Sequence, residues 1–180
     1  MVMFCTSNVF SQEHFRQVTW GMNVKTVMAQ ESQKLSIQEK NRLEYNCVLA
    51  DIPGKIIYVF SKSGQLKRGK YYLTPQYYNM DYYIQDFKMF ESMLTNKYGK
   101  VSKRMVVTSS ENQDITENDW PLLLLKGALR VELIWNSTDT VASLILSKGG
   151  MKPTIQIDYN SVEFGKVDLA DKKTELMNEI

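Results

Sequence analysis

Between Asp81 and Gly99 the chain carries Tyr83, Phe87, Phe90, Leu94 and Tyr98 at spacings of four, three, four and four residues. Only a helical period brings such positions onto one face, and Gln85, Lys88, Glu91 and Ser92 then fall on the other. Asp81 can cap this helix, and Gly99 can end it in the left-handed conformation that glycine tolerates. A helix with a single apolar stripe must bury that stripe against another element. The rest of the sequence supplies strands for it to cover.

Ahead of the helix, Leu43, Tyr45, Cys47 and Leu49 alternate with polar residues in "LEYNCVLAD", the period of a half-buried strand. Pro53-Gly54 suits the centre of a type II turn. "KIIYVFS", a turn at Lys62-Ser63-Gly64 and "QLKRGKYYLT" follow, with Gly69 suggesting a bulge or kink. Nearer the start, Asn23 can cap a short helix through Val24, Val27 and Met28, and "SQKLSIQEKN" after it reads as loop. Beyond the long helix come "KRMVVTS", a polar loop, and a short buried helix in "DWPLLLLKGA". "LRVELIWN", "VASLILSK" and "TIQIDYN" complete the set. Each half therefore reads as a helix followed by antiparallel strands. The expected fold class is α+β, with two tandem helix-plus-antiparallel-meander units at about 15–78 and 79–160. Their helices would pack on one face of antiparallel sheet within a single domain over 15–160. Residues 1–14 are expected to be a disordered start, and 161–180 a helical tail. The other face of the sheet needs solvent, a partner or a ligand.

Composition excludes several function classes. The 180 residues are 43% hydrophobic and 23% charged, with a net charge of +2 and cations interleaved with carboxylates. No basic block points to nucleic acid. No stretch approaches the ~20 apolar residues of a membrane-spanning helix. Two cysteines, Cys5 and Cys47, make no disulfide framework, although they can pair; Cys47 reads as a buried thiol. Cys5 is compatible with the trimmed leader of a lipoprotein or with an ordinary N-terminus. The single histidine, His14, sits beside the expected disordered start, so metal binding and Ser-His or Cys-His catalysis are disfavoured. No phosphate-cradling glycine loop is present, and no cofactor is expected.

"FRQVTWGMNVKTVMAQE", residues 15–31, resembles the opening of a group of uncharacterised bacterial proteins that begin with a Phe-Arg…Trp-Gly-Met signature before a short helix. The resemblance continues in "KIIYVFSKSGQLKRGKYYL", in "MLTNKYGKV" and in the segment leading to "ELIWNSTDT", covering most of 15–160. A Gly-Met turn before a helix and a meander is also similar in layout to half of a β-lactamase-inhibitor-protein-type fold. The small lipoprotein of the outer-membrane barrel-assembly machinery is similar in the same respect. These likenesses imply an interaction module of the cell envelope or secreted fraction rather than the cytoplasm, with no enzymatic activity to carry over. Within 15–31, Arg16 is the one residue whose chemistry can serve a ligand; Phe15 and Trp20 read as core anchors.

Two further features bear on function. Tyr71-Tyr72, Tyr77-Tyr78 and Tyr82-Tyr83 crowd one segment, and adjacent tyrosines on a regular element point in different directions. Tyrosine offers large contact area with a polar tip, which enriches it at binding surfaces. The candidate binding patch is therefore Tyr72, Tyr77, Tyr78 and Tyr82 with Lys67, Arg68 and Lys70, set against simple packing of a helix–sheet junction. Glu132 and Asp158 fall on polar faces of neighbouring strands, and a carboxylate pair can support hydrolysis if one member is desolvated. Pairing with Arg130 and nearby lysines is the plainer role. Asn136-Ser137-Thr138 matches a glycosylation sequon but reads as a hairpin turn. The expected function is a non-enzymatic module binding a protein or an envelope ligand. A small hydrolase and a structural domain of a larger assembly are the alternatives.

Overall fold

The computed structural model describes residues 13–109 and 115–166. In chain order the elements are α1 (Val24–Gln30), β1 (Leu35–Glu39), β2 (Arg42–Leu49), β3 (Ile52–Phe60), β4 (Leu66–Leu73), α2 (Met80–Tyr98), β5 (Lys103–Thr108), a 3-10 turn (Glu117–Asp119), α3 (Trp120–Lys126), β6 (Leu129–Asn136), β7 (Thr140–Ser147) and β8 (Thr154–Ser161). All eight strands join one antiparallel sheet in the order β1-β2-β3-β4-β8-β7-β6-β5.

This corrects the expected fold class. There are no two tandem helix-plus-meander units, because β4 pairs with β8 along a six-residue register from Arg68↔Asn160 to Leu73↔Ile155. That seam makes a single, mostly-strand sheet of what the residue pattern divides in two. The helices are few, and α3 interrupts the strands between β5 and β6. "LSIQE", read as loop, forms the edge strand β1, where an alternating core pattern is not needed because most of it is exposed. The turn between β2 and β3 lies at Ala50-Asp51, both at positive φ (50° and 62°), the backbone of the hairpin turns that match strand twist. Pro53 and Gly54 lie inside β3 instead. Gly54 is required there because a Cβ would stand 2.5 Å from the Tyr72 carbonyl oxygen.

The register assigns the side chains to two faces. On the covered face Tyr45, Ile56, Tyr71, Ile157, Leu144 and Leu133 run across the sheet. There α2 packs on β6, β7 and β8 and sets Tyr83, Phe87, Phe90 and Leu94 into the core. Asn79, not Asp81, caps α2 by accepting the Asp81 N–H at 2.9 Å. The chain ahead of α1 straps the other half of this face. Phe15 lies over Gly69, whose missing side chain is the socket: a Cβ there would meet the ring at 2.1 Å. Tyr58, Tyr71 and Tyr159 surround that ring at 5.1–5.4 Å between centroids. The open face carries Arg42, Lys55, Arg68, Lys70, Lys103 and Arg130 against Glu39, Glu44, Glu132 and Asp158.

Candidate functional site

The covered face holds a polar cluster that alternation did not reveal. Glu31, immediately after α1, has a side chain only 1% exposed. Arg16 meets it with two bonds, Nε to Oε2 at 2.9 Å and an Nη to Oε1 at 3.2 Å. The Tyr58 hydroxyl donates to Oε2 at 2.6 Å, and the Gln33 N–H donates to Oε1 at 3.0 Å. Arg16 also donates to the Tyr71 hydroxyl at 3.1 Å. Burial lowers the guanidinium's hold on its proton, but Tyr71 and Glu31 outweigh it and raise the Arg16 pKa. Each of the three Arg16 guanidinium nitrogens thus donates one bond within the fold, at a backbone φ of 55°. Both Glu31 oxygens are occupied, so the cluster offers no acceptor to a ligand. Tyr45 and Cys47 lie beside it, and burial, with the Glu31 charge adding to it, raises both their pKa values.

The seven patch residues are divided by the structure. Arg68, Lys70 and Tyr72 stand in a row on the open face, with Lys67 at the bulge beside them. The Arg68 Nε donates to Asn160 Oδ1 at 2.5 Å, and Lys70 donates to Gln156 at 3.2 Å. Tyr77 is half-buried between Tyr82 and Tyr83 at 5.6 and 5.1 Å. Its hydroxyl is pushed up to about 12, by burial and by the neighbouring Asp86 carboxylate. Tyr78 is entirely exposed and Tyr82 half exposed, at one end of the sheet. The single patch becomes two places: a row on the open face and a projecting rim.

Glu132 and Asp158 both lie on the open face, separated by β7, where Ser143 stands opposite Asp158 and Ile145 opposite Glu132. Arg130 donates to Glu132 at 2.8 Å. Lys70 stands 3.2 Å from Asp158 Oδ1 but off the line of a hydrogen bond, so that buried oxygen has no hydrogen-bonding partner. Burial raises the Asp158 pKa and Lys70 only partly offsets it. Glu44, 4% exposed, shows the opposite balance. Burial works to raise its pKa, yet Lys55 at 2.7 Å and Arg42 hold it below the ordinary value.

His14 is well placed in the fold. Its Nδ1 accepts the Trp20 N–H at 3.0 Å, and its Nε2 bonds Asp139 Oδ2 at 2.8 Å. Since Nδ1 accepts, Nε2 carries the proton and donates to the carboxylate. The Ser137 hydroxyl donates to Asp139 Oδ1 at 3.2 Å, on the far side of the carboxylate from the imidazole. A nucleophile–base pair needs an imidazole nitrogen facing the hydroxyl, and both nitrogens are taken. The arrangement closes a turn around Ser137-Thr138. Asn136 ends β6 at that turn.

Among the described residues, no group of three or more His, Cys, Asp or Glu side chains is placed to hold a metal ion. No described helix is long and apolar enough to cross a membrane. Comparison with protein-family models, curated proteins and solved structures returned no match to this chain. The likenesses drawn above rest on the quoted residues alone.

Proposed function

We propose that the protein is a non-enzymatic binding module of the cell envelope or secreted fraction, and that the open face of the sheet receives a protein partner. The observation that carries this reading is the composition of that face. Six cations and four carboxylates are set around Ile57 and Ile145, which are 7% and 6% exposed although no helix packs over them. Ile57 is flanked across the strands by Glu44 and Lys70, and Ile145 by Glu132 and Gln156. Long side chains lying over apolar centres make a surface that is already partly desolvated and ordered. Such a surface loses less side-chain entropy on docking. Tyr72 and Lys70 at the centre supply an aromatic contact and a charge to a partner with an acid-rich surface.

The hydrolase alternative has one observation in its favour, the raised pKa of Asp158. Against it, each carboxylate has a cation of its own, and β7 stands between the two. The test is recovery of a binding partner from a cell extract by the full chain and by Arg68→Glu/Lys70→Glu. A partner held by the wild type and by Tyr78→Ser but lost by the double variant is the expected result. Retention by the double variant overturns the reading.

A further inference from the structure

An open sheet has two outer edges, and this fold treats them differently. At one, β1 is interrupted by a register shift between Leu35 and Ile37, the Ser36 hydroxyl donates to the Glu44 carbonyl, and the strand ends on Glu39. Bulges and charges of this kind keep an edge from pairing. At the other, β5 runs beside β6 without interruption from Lys103↔Ile134 to Thr108↔Leu129. Met105, Val106 and Val107 lie at its centre, with Val106 43% and Val107 59% exposed. Arg104 could guard this edge, but it is turned onto α2 and the 3-10 turn, to Glu91 at 2.5 Å and Glu117 at 3.4 Å. Among the described residues no strand pairs with the outer side of β5.

The ladder fixes which backbone groups of β5 are free. The Ser137 N–H bonds the Thr140 carbonyl at 2.9 Å, so the odd-numbered residues of β6 exchange bonds with β7 and the even-numbered ones with β5. The Ser109 N–H on the Ala128 carbonyl, at 3.2 Å, agrees with this. Lys103, Met105 and Val107 therefore direct their N–H and C=O groups to β6, opposite Ile134, Glu132 and Arg130. The N–H and C=O groups of Arg104, Val106 and Thr108 point away from the sheet.

We propose that a second copy of the chain adds at this edge, β5 to β5 and antiparallel. A two-fold axis through Val106, normal to the sheet, sets Val106 opposite Val106 of the second copy and Arg104 opposite Thr108 of the second copy. In that register every outward N–H and C=O of one β5 meets one of the other. A slip of one residue would send side chains to the wrong face, and a slip of two would leave outward groups unpaired. Met105 then stands opposite Val107 of the second copy on the open-face side, and Val106 meets its own copy on the covered-face side. Lys103 faces Ser109 of the second copy, so no two cations are opposed. This self-complementarity is the argument for a second copy rather than another protein's strand. One short sequence supplies the matching backbone groups, apolar pairs on both faces, and hydroxyls opposite its cations. The inference does not rest on the open-face reading, whose central residues Lys70 and Tyr72 lie on β4.

The experiment is sedimentation equilibrium of the full chain at concentrations up to about 1 mM, the range of small interfaces. A monomer–dimer equilibrium without higher species is expected, because the β1 edge is interrupted. Val106→Lys sets two ammonium groups face to face and should weaken the dimer about tenfold. Val106→Glu should do the same, and an equimolar mixture of the two variants should dimerise again. Val107→Lys, at a more exposed position, should also weaken the dimer, and it decides the question where urea unfolding shows that a Val106 variant has not folded. Ile37→Lys on β1 should dimerise as the wild type does. So should Arg68→Glu/Lys70→Glu, which separates failure of this inference from failure of the open-face reading. A chain that stays monomeric throughout the range overturns the inference. So does a dimer that survives both lysine variants of β5, a mixture of folded Val106 variants that does not re-form it, or a dimer lost with Ile37→Lys.

Discussion

Glu31, set against the covered face from the end of α1, and Asp158, in β8, are both carboxylates with largely buried side chains, and the fold treats them in opposite ways. Glu31, on the covered face, receives two bonds from Arg16, one from Tyr58 and one from a backbone N–H. Asp158, on the open face, has a lysine at 3.2 Å that is misaligned and an oxygen with no hydrogen-bonding partner. A buried charge is tolerated when its lone pairs are filled, and it raises its pKa when they are not. At Glu31 the chain itself supplies every partner the carboxylate needs, whereas at Asp158 one buried oxygen stays unsatisfied. The contrast belongs to these two groups and not to the faces as wholes, since the Tyr45 hydroxyl and the Trp135 Nε1 on the covered face also have no hydrogen-bonding partner. The comparison teaches where burial serves stability and where it leaves chemistry for a partner to complete.

The largest effect expected from breaking this contrast is at Glu31. Glu31→Ala leaves the Arg16 guanidinium and the Tyr58 hydroxyl without their acceptor, and should cost about 3 kcal/mol in urea unfolding. A loss below about 1 kcal/mol would show that water reaching the part-exposed Arg16 side chain replaces the carboxylate and that the cluster is not the anchor described here. Gly69→Ala tests the same face without touching charge. The new methyl group would meet the Phe15 ring, which must move, at a cost of about 2 kcal/mol. Phe15→Leu should restore part of that loss in the double variant, because the socket and the side chain that fills it are coupled.

The smallest effect is at Asp158, and its sign is the informative part. Its folded pKa is raised above the ordinary 3.8, so near that value the folded state binds more protons than the unfolded chain. Ionisation then costs stability at neutral pH, and the cost is relieved as pH falls through the raised value towards 3.8. Asp158→Asn should be neutral or more stable than wild type at pH 7, within about 1 kcal/mol. The difference should shrink as pH falls across that window. Glu44→Gln should run the other way, because the folded pKa of Glu44 is depressed. It should be less stable than wild type at pH 7, and the deficit should close only as pH falls from the ordinary 4.5 through the lowered folded value. Unfolding midpoints of both variants across pH measure the two slopes directly, and slopes of the same sign would erase the distinction between satisfied and unsatisfied carboxylates.

The elements legible in the sequence were those with strong periodicity. The stripe from Tyr83 to Leu94 is buried on α2, and the alternation in "LRVELIWN" places Leu129, Val131, Leu133 and Trp135 inside. Three things were not legible, each for a physical reason. Alternation states which side chains face inward but not which strand lies alongside, so the β4–β8 pairing that overturns the tandem-unit reading left no local trace. Gly54 looked like a turn residue, yet its role is the close passage of the Tyr72 carbonyl, a contact with a residue eighteen positions on. Arg16 looked free for a ligand because nothing in the sequence marks Glu31 as its partner across α1. The tyrosine segment was conspicuous by composition alone. Composition did not show that Tyr72 and Tyr78 go to different surfaces.

The β4–β8 seam also sets how the molecule comes to be folded. Tyr71 must find Ile157, with the whole of α2, α3 and three strands between them in the chain. Closing so long a loop before its contacts repay the lost freedom makes folding slow, in the millisecond-to-second range typical of sheets built from distant strands. Until that step, β4 and β8 each present an unpaired edge rich in tyrosine, isoleucine and leucine. That interval, rather than the finished sheet, is when one copy of the chain is most exposed to pairing with another.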